Sequence, residues 1–194
     1  MDDESYVNRL RKISENPIKT ILRPINPYRI NLRKLITGSC LEIGCGIGRN
    51  LGYLDNSENV GIDTNKEAVE YSKSLGHQTY TSEKFRESAI SSRKFDYLLF
   101  SHVLEHMDFD SAKQLVMSYL NNLNYGGKVV IICPQKRGFK SDPTHVEFFD
   151  FEALSRVANE CGLRVANAYS HPLPIIFSNV FIYNEFVLTA ERND

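Results

Sequence analysis

The sequence predicts an α/β fold, a mostly parallel sheet with helices on both faces. From residue 39 onward, short apolar runs of strand length alternate with segments of helical periodicity, as in successive βα units. A glycine-rich turn follows the first of these runs. After Gly162, two more strand-like runs have no helical pattern between them, and adjacent strands without a crossover helix are usually antiparallel.

The predicted elements follow this alternation. Five strands are expected at residues 39–43, 59–62, 77–81, 97–101 and 128–133, and two more at 163–169 and 181–189. Helices are expected at 49–54, 65–75, 111–123 and 151–161. Asp150 is the candidate N-cap of the last helix and Gly162 its C-terminal stop. Gly126 and Gly127 are expected to form the turn into the fifth strand.

The sequence divides into an N-terminal helical arm, 1–37, and one domain, 38–194. Two short amphipathic helices are expected in the arm, on the triads Tyr6, Leu10, Ile13 and Tyr28, Leu32, Leu35. Prolines at 17, 24 and 27 prevent one continuous helix. Residues 9–34 hold eight basic side chains against one acid, Glu15. This basic arm is either a solvated surface or a lid that attracts an anionic acceptor.

The composition excludes several classes of protein. Of 194 residues, 42% are hydrophobic and 24% charged, which is typical of a globular domain and excludes a disordered chain. Lysine and arginine number 23 and the acids 24, so the net charge of −1 gives the whole chain no attraction to nucleic acid or membrane, and nucleic acid is not expected as a partner. The four cysteines form no C-x-x-C pair, and no signal peptide or membrane-spanning segment is visible. We therefore expect a cytoplasmic protein.

The glycine-rich turn predicts a nucleotide-like ligand. Residues 41–48 read LEIGCGIG, and Asp63 ends the second strand, where a carboxylate can accept hydrogen bonds from ribose hydroxyls. Arg49 occupies the position of the third glycine in a dinucleotide fingerprint. Glu42 would repel a pyrophosphate but attract a cationic ligand. The turn thus favours S-adenosylmethionine (SAM), which has a sulfonium and no phosphate, over NAD.

Four ordered motifs resemble those of class I SAM-dependent methyltransferases, in the small-molecule branch of the type 11 and type 12 methyltransferase domains. They are LEIGCGIG at 41–48, VGID at 60–63, FDYLLFSHVLEHM at 95–107 and LNYGGKVVI at 123–131. The resemblance covers roughly residues 38–190. It implies a Rossmann-like seven-stranded sheet whose last strand is antiparallel.

The resemblance also implies which residues hold the cofactor. Glu42 would lie near the SAM ammonium and Asp63 would bind the ribose hydroxyls. The full implied set is Glu42, Gly44, Cys45, Gly46, Arg49, Asp63, Thr64, Ser82 and Ser101. The expected third-strand contact with the adenine amine falls near residues 81–83, where relatives often have an aspartate and this chain has Ser82 and Glu83.

Histidines are the candidates for the chemistry of transfer. The ordinary pKa of histidine, near ~6.5, suits a general base at neutral pH. His145, in a loop after the fifth strand, is our first candidate for the base and His106 our second. No metal is expected, although His102, Glu105, His106 and His145 together resemble the metal-binding cluster of some RNA-terminal methyltransferases.

The sequence therefore predicts a methyltransferase that acts on an oxygen of a small molecule, glycan or lipid precursor. The acceptor is expected to be anionic or partly apolar, and a homodimer remains open. Acceptor recognition must come from residues 1–37, 134–149 and 171–184, or from a second subunit, because the sheet uses most of the remaining chain. The alternative is a catalytically silent SAM-binding module that regulates a partner.

Overall fold

A computed structural model describes residues 26–192. The chain divides into two compact units, Met1–Arg93 and Lys94–Asp194. The predicted helix on Tyr6, Leu10 and Ile13 lies outside the described residues, and the division into an arm and a domain stays a prediction. None of the described helices has the length and hydropathy that crossing a bilayer requires.

The described part of the first unit, residues 26–93, contains three parallel strands and three α-helices. Strands β1 (Cys40–Ile43), β2 (Val60–Asp63) and β3 (Gln78–Thr81) pair in the order β3-β2-β1. Helix α1 (Pro27–Leu35) precedes them, α2 (Lys66–Ser74) connects β2 to β3, and α3 (Ser82–Glu87) follows β3. The four residues of β1 are all buried, as expected for a strand covered on both faces.

The second unit contains four strands and three helices. In chain order these are β4 (Phe95–Ser101), α4 (Phe109–Tyr119), β5 (Leu123–Pro134), α5 (Lys136–Phe139), α6 (Phe151–Glu160), β6 (Leu163–His171) and β7 (Glu185–Arg192). Strands β4 and β5 are parallel, whereas β7 is antiparallel to both β5 and β6. Asp150 caps α6 by accepting hydrogen bonds from two backbone N–H groups, as predicted.

The fold prediction is confirmed. The seven strands form a mostly parallel sheet, flanked by helices, in the order β3-β2-β1-β4-β5-β7-β6, and the last strand is antiparallel. Gly162, at the end of α6, has a φ of +75°, which is the left-handed conformation expected of a C-terminal stop.

Two local predictions are wrong. The helix expected at 49–54 is only a 3₁₀ turn, Leu51–Tyr53, so no α-helix begins at the glycine-rich turn. Gly126 and Gly127 do not precede the fifth strand, because β5 begins at Leu123 and contains both. The pairing register between β4 and β5 shifts at this point, so the glycines lie in an irregular part of the ladder.

Gly48 occupies a position that only glycine fits. Its φ is +79°, and a Cβ atom there would lie 2.2 Å from the Ser72 hydroxyl oxygen of α2. Gly48 therefore allows the glycine-rich turn to pack closely against α2.

We expect Gly48→Ala to lower the free energy of unfolding by about 2–5 kcal/mol, since left-handed strain adds to overpacking. Gly76→Ala is the matched control, because Gly76 has a φ of +88° but open space around its Cβ position. It should cost only about 1–2 kcal/mol. Urea denaturation of the three proteins measures both effects, and equal losses would show that contact with Ser72 adds nothing.

Candidate cofactor and acceptor site

The glycine-rich turn uses its backbone donors within the first unit. The N–H groups of Gly44 and Cys45 both donate to the Ile62 carbonyl, at 2.8 and 3.0 Å. The N–H of Gly46 donates to Asp63 Oδ2 at 2.7 Å. A phosphate-binding loop needs such N–H groups to point at the ligand. These three N–H groups already donate hydrogen bonds within the protein, so the turn does not present them to a phosphate.

Asp63 is held in one orientation at the end of β2. Its Oδ2 accepts from Gly46 and its Oδ1 accepts from the backbone N–H of Asn65 at 2.8 Å. Each carboxylate oxygen can accept more than one hydrogen bond, so capacity remains for a ligand. The two hydrogen bonds orient the Asp63 carboxylate and so determine the side from which two ligand hydroxyl groups would reach it.

Glu42 is a buried carboxylate with one unsatisfied oxygen. Its side chain is 1% exposed. Oε1 accepts from the Asn50 amide at 2.7 Å, whereas Oε2 has no hydrogen-bond partner among the described residues. Burial raises the pKa of Glu42 to about 8, against the opposing effects of Asn50 and the Arg49 charge. Such an oxygen fits a cationic donor, which would both satisfy it and stabilise its charge.

The remaining cofactor candidates are less constrained. Arg49 and Thr64 are exposed, Ser82 is half-buried at the start of α3, and Ser101 ends β4 in the second unit. The charge of Arg49 acts on Glu42, which supports proximity between the two. Asn50 was missed by the sequence reasoning, and nothing in its residue type or position indicates that it would bind Glu42.

His102 is a strained and fully engaged residue at the carboxyl end of β4. It has a φ of +57°, the only positive φ among the described residues other than glycine. Its Nδ1 lies 3.2 Å from Glu105 Oε1 and its Nε2 lies 2.8 Å from Glu185 Oε1. Burial lowers the pKa of His102, but the two carboxylates outweigh burial and raise it to about 10. At neutral pH this imidazole is therefore a cation clamped between two acids.

Glu105 connects that clamp to the loop after β5. Its side chain is buried, and its second oxygen lies 3.6 Å from Cys133 Sγ. Its pKa is nevertheless lowered, because the interactions with His102 outweigh burial. The backbone carbonyl of Glu105 also accepts from the N–H of Val146 at 2.7 Å. This bond fixes the backbone next to His145.

His145 and His106 lie side by side, with ring centroids 4.9 Å apart. The Nδ1 of His145 lies 2.7 Å from the Phe139 carbonyl oxygen, and the Phe139 ring stacks on the imidazole at 5.2 Å. A carbonyl only accepts, so His145 Nδ1 carries a proton and, in the neutral ring, Nε2 is the basic nitrogen. His106 is exposed and contacts Thr144 through its Nδ1.

Within residues 26–192, one group of side chains could hold a metal ion. Glu105, His106 and His145 each offer a ligand atom, and these atoms lie within 4.8 Å of one another. His102 does not join them, because both of its nitrogens face carboxylates. Glu185, which occupies one of those nitrogens, is 83 positions away from His102 and was not found from the sequence.

Comparison with known proteins supports the same class. A family model described as a methyltransferase domain matches residues 6–168. A search of the curated proteins finds no significant match.

Solved structures show the shared fold. A SAM-dependent methyltransferase from Archaeoglobus fulgidus is 20% identical over 85% of this chain and 93% of its own, with a TM-score of 0.67. A TehB-like SAM-dependent methyltransferase from Corynebacterium glutamicum is 18% identical over 98% of both chains, with a TM-score of 0.65. The magnesium protoporphyrin IX methyltransferase of Synechocystis PCC 6803, with bound S-adenosylhomocysteine (SAH), is 12% identical over 98% of this chain and 96% of its own, with a TM-score of 0.68.

The family match spans most of the chain, and the strand order agrees with the fold of these structures. The resemblance to class I SAM-dependent methyltransferases is thereby confirmed. The cofactor of these enzymes is SAM. The protein belongs to the methyltransferase domain family.

Proposed function

We propose that this protein is a SAM-dependent methyltransferase that methylates an oxygen of a small molecule, glycan or lipid precursor. His145 is the proposed base that removes the proton of the acceptor hydroxyl. The observation that carries this proposal is the 2.7 Å contact between His145 Nδ1 and the Phe139 carbonyl, which directs the basic lone pair to Nε2.

The cofactor assignment rests on the chemistry of the first unit. The buried and unsatisfied Oε2 of Glu42 is suited to the ammonium group of SAM. Asp63, oriented by two backbone N–H groups, is suited to the ribose hydroxyls. The committed N–H groups of the turn count against a dinucleotide, whose pyrophosphate would need them.

Methyl transfer to oxygen needs alignment of the acceptor and removal of one proton. When bound, SAM supplies a methyl group activated by its sulfonium. Among the histidines of the second unit, His102 is a poor base, because a raised pKa keeps its proton in place. His145 holds one proton on Nδ1 and can accept the second on Nε2. His106 remains the second candidate.

The other predicted properties belong to the same proposal. The acceptor is a small molecule, anionic or partly apolar, and the chain consists of an N-terminal helical arm, 1–37, and a SAM-binding methyltransferase domain, 38–194. The location is cytoplasmic, which is compatible with the four free and buried thiols Cys40, Cys45, Cys133 and Cys161.

Removal of the Asp63 charge tests the proposed role of Asp63 in cofactor binding. We expect Asp63→Asn to weaken SAH binding by about 10- to 100-fold, because hydrogen bonds to a charged acceptor are worth about 1.5–3 kcal/mol. Isothermal titration calorimetry measures the loss. Asp110→Asn is the control, since its carboxylate is 78% exposed on α4 and should bind SAH as the wild type does.

The reaction itself is tested with methyl-labelled SAM and fractions of a metabolite and lipid extract. Wild-type protein and the Asp110→Asn control should label a product on oxygen, and Asp63→Asn should not at the same cofactor concentration. Label on nitrogen or carbon would refute the oxygen assignment. Tight binding of NADH with none of SAH would refute the cofactor assignment.

A further inference from the structure

We propose that the second unit docks on an anionic lipid bilayer through the apolar loop at residues 172–184 and the basic turn at residues 136–140. The apolar loop lies between β6 and β7. Ile176 is 77% exposed and Val180 76% exposed. Further exposed apolar side chains of the loop are Ile175, Phe177, Ile182 and Tyr183. A group of large apolar side chains this dense is typical of an interaction surface.

Hydrogen bonds hold the backbone of the apolar loop in the conformation that exposes these side chains. Asn184, which is completely buried, accepts from the Leu173 N–H at 2.9 Å and donates to the Gln135 side chain at 2.9 Å. Within the loop, the Phe177 N–H donates to the Pro174 carbonyl and the Phe181 N–H to the Phe177 carbonyl. Because both ends and the interior of the loop are hydrogen-bonded, its apolar side chains are held outward instead of collapsing onto the unit.

The basic turn is attached directly to this loop. The backbone N–H of Arg137 donates to the Ser178 carbonyl at 2.9 Å, and that of Lys136 to the Ser178 hydroxyl at 3.3 Å. The side chains of Lys136, Arg137 and Lys140 are all exposed. The apolar loop has no charged residue and the basic turn has no acid.

Apolar side chains beside exposed bases are the combination that binds anionic bilayers. Apolar groups enter the interfacial region, and each lysine or arginine near the surface strengthens binding about fivefold.

A cavity of about 270 Å³ continues the apolar surface inward. Its walls include Ile175 of the apolar loop and the rings Phe148, Phe151 and Phe186. Lys136, Ser178, Asp150 and Glu152 also line it. The Asp150 carboxylate is engaged as the N-cap of α6. Such a cavity can receive the apolar part of a molecule that lies in the bilayer.

Charge decides between a bilayer and a second copy of the chain. A twofold dimer centred on the basic turn would bring its two copies together, because residues at the symmetry axis meet their own equivalents. Three exposed bases on each side, without acids in either segment, would repel. An anionic bilayer provides both the apolar environment and the opposite charge.

Vesicle co-sedimentation tests the surface without SAM or an acceptor, so its outcome is independent of the proposed function. We expect the full-length protein to sediment with phosphatidylcholine vesicles containing about one third phosphatidylglycerol. It should sediment much less with phosphatidylcholine alone or at high salt.

Ile176→Ser combined with Val180→Ser should weaken partitioning at least tenfold. Its control is Leu75→Ser combined with Met117→Ser, at side chains 54% and 51% exposed elsewhere. Alanine at Lys136, Arg137 and Lys140 should weaken partitioning to anionic vesicles by about a hundredfold. Its control carries alanine at the exposed Lys66, Lys84 and Arg86.

Several results would overturn the proposal. The first is that the wild type does not sediment with anionic vesicles at low salt. The second is that the serine or the alanine variant binds vesicles as well as its control does. The third is that the protein forms a dimer in solution that the Ile176 and Val180 changes dissociate. The last would assign the apolar loop to a second copy. Because all substitutions are at exposed side chains, circular dichroism should show that each variant is folded.

Discussion

His145→Asn is expected to lower kcat for methyl transfer by about a hundredfold to ten-thousandfold, while the affinity for SAH stays within about twofold of the wild type. The imidazole is the proposed proton acceptor, whereas the groups assigned to the cofactor, apart from Ser101, are in the first unit. Removal of the base should therefore affect the chemical step and leave cofactor binding unchanged. The measurement combines initial rates on the acceptor fraction with calorimetric titration of SAH.

The pH dependence of the rate distinguishes a base from a purely structural histidine. A general base acts only in its unprotonated form, so the rate of an enzyme that uses one rises with pH and then levels off. In His145→Asn the remaining rate should lose that limb. His77→Asn is the control, a half-buried histidine of the first unit that lies near Gly48. At saturating SAM it should leave the rate and its pH profile unchanged.

His106→Asn ranks the two candidates. We expect a smaller loss than for His145→Asn, because His106 is exposed and its contacts are with Thr144 at the surface. A larger loss at His106 would transfer the role of the base to it. Wild-type turnover in both variants would remove histidine catalysis altogether. If the wild type itself binds SAH but transfers no methyl group to any fraction, the chain is the silent SAM-binding module that the sequence also allowed.

The fold was predictable because its signals are local and repeated. Apolar runs mark each buried strand, and capping residues such as Asp150 mark helix starts at a fixed spacing. The predictions failed where tertiary contacts decide the local backbone. The helical pattern at 49–54 becomes a 3₁₀ turn, and the pair Gly126 and Gly127 is absorbed into a strand with an irregular register.

The candidate site was predictable only in part, for the same reason. Glu42 and Asp63 could be found because they adjoin a glycine-rich turn at a characteristic spacing. The clamp on His102 could not, because Glu185 is brought to it from the start of β7, 83 positions later. The pKa of His102 depends on that contact, so the sequence, from which only His145 and His106 were named as bases, could not supply this reason for leaving His102 out.

Glu42 should make cofactor binding strongly dependent on pH. In the free protein, burial raises the pKa of this carboxyl to about 8, so it is mostly protonated at pH 7. The ligand ammonium would favour the ionised form and lower that pKa, so binding would release a proton. Affinity must then increase with pH, by up to about tenfold per unit below pH 8.

We therefore expect SAH affinity to rise by as much as a hundredfold between about pH 5.5 and about pH 7.5, below the range in which the α-amino group of the ligand begins to lose its proton. Glu42→Gln keeps an oxygen for Asn50 but cannot ionise, so its affinity should be weak and nearly independent of pH. Glu87→Gln, at an exposed position of α3, should behave as the wild type.

Calorimetry in buffers of different ionisation enthalpy provides a second readout. Near pH 7 the wild type should release most of one proton for each SAH bound, and Glu42→Gln should release none. The free proteins should show the opposite trend in stability. Between pH 4.5 and about 8 the folded wild type binds more protons than the unfolded chain, so its stability should fall relative to Glu42→Gln as pH rises. Proton release of the same size in Glu42→Gln would show that another group, and not the unsatisfied oxygen of Glu42, receives the ammonium.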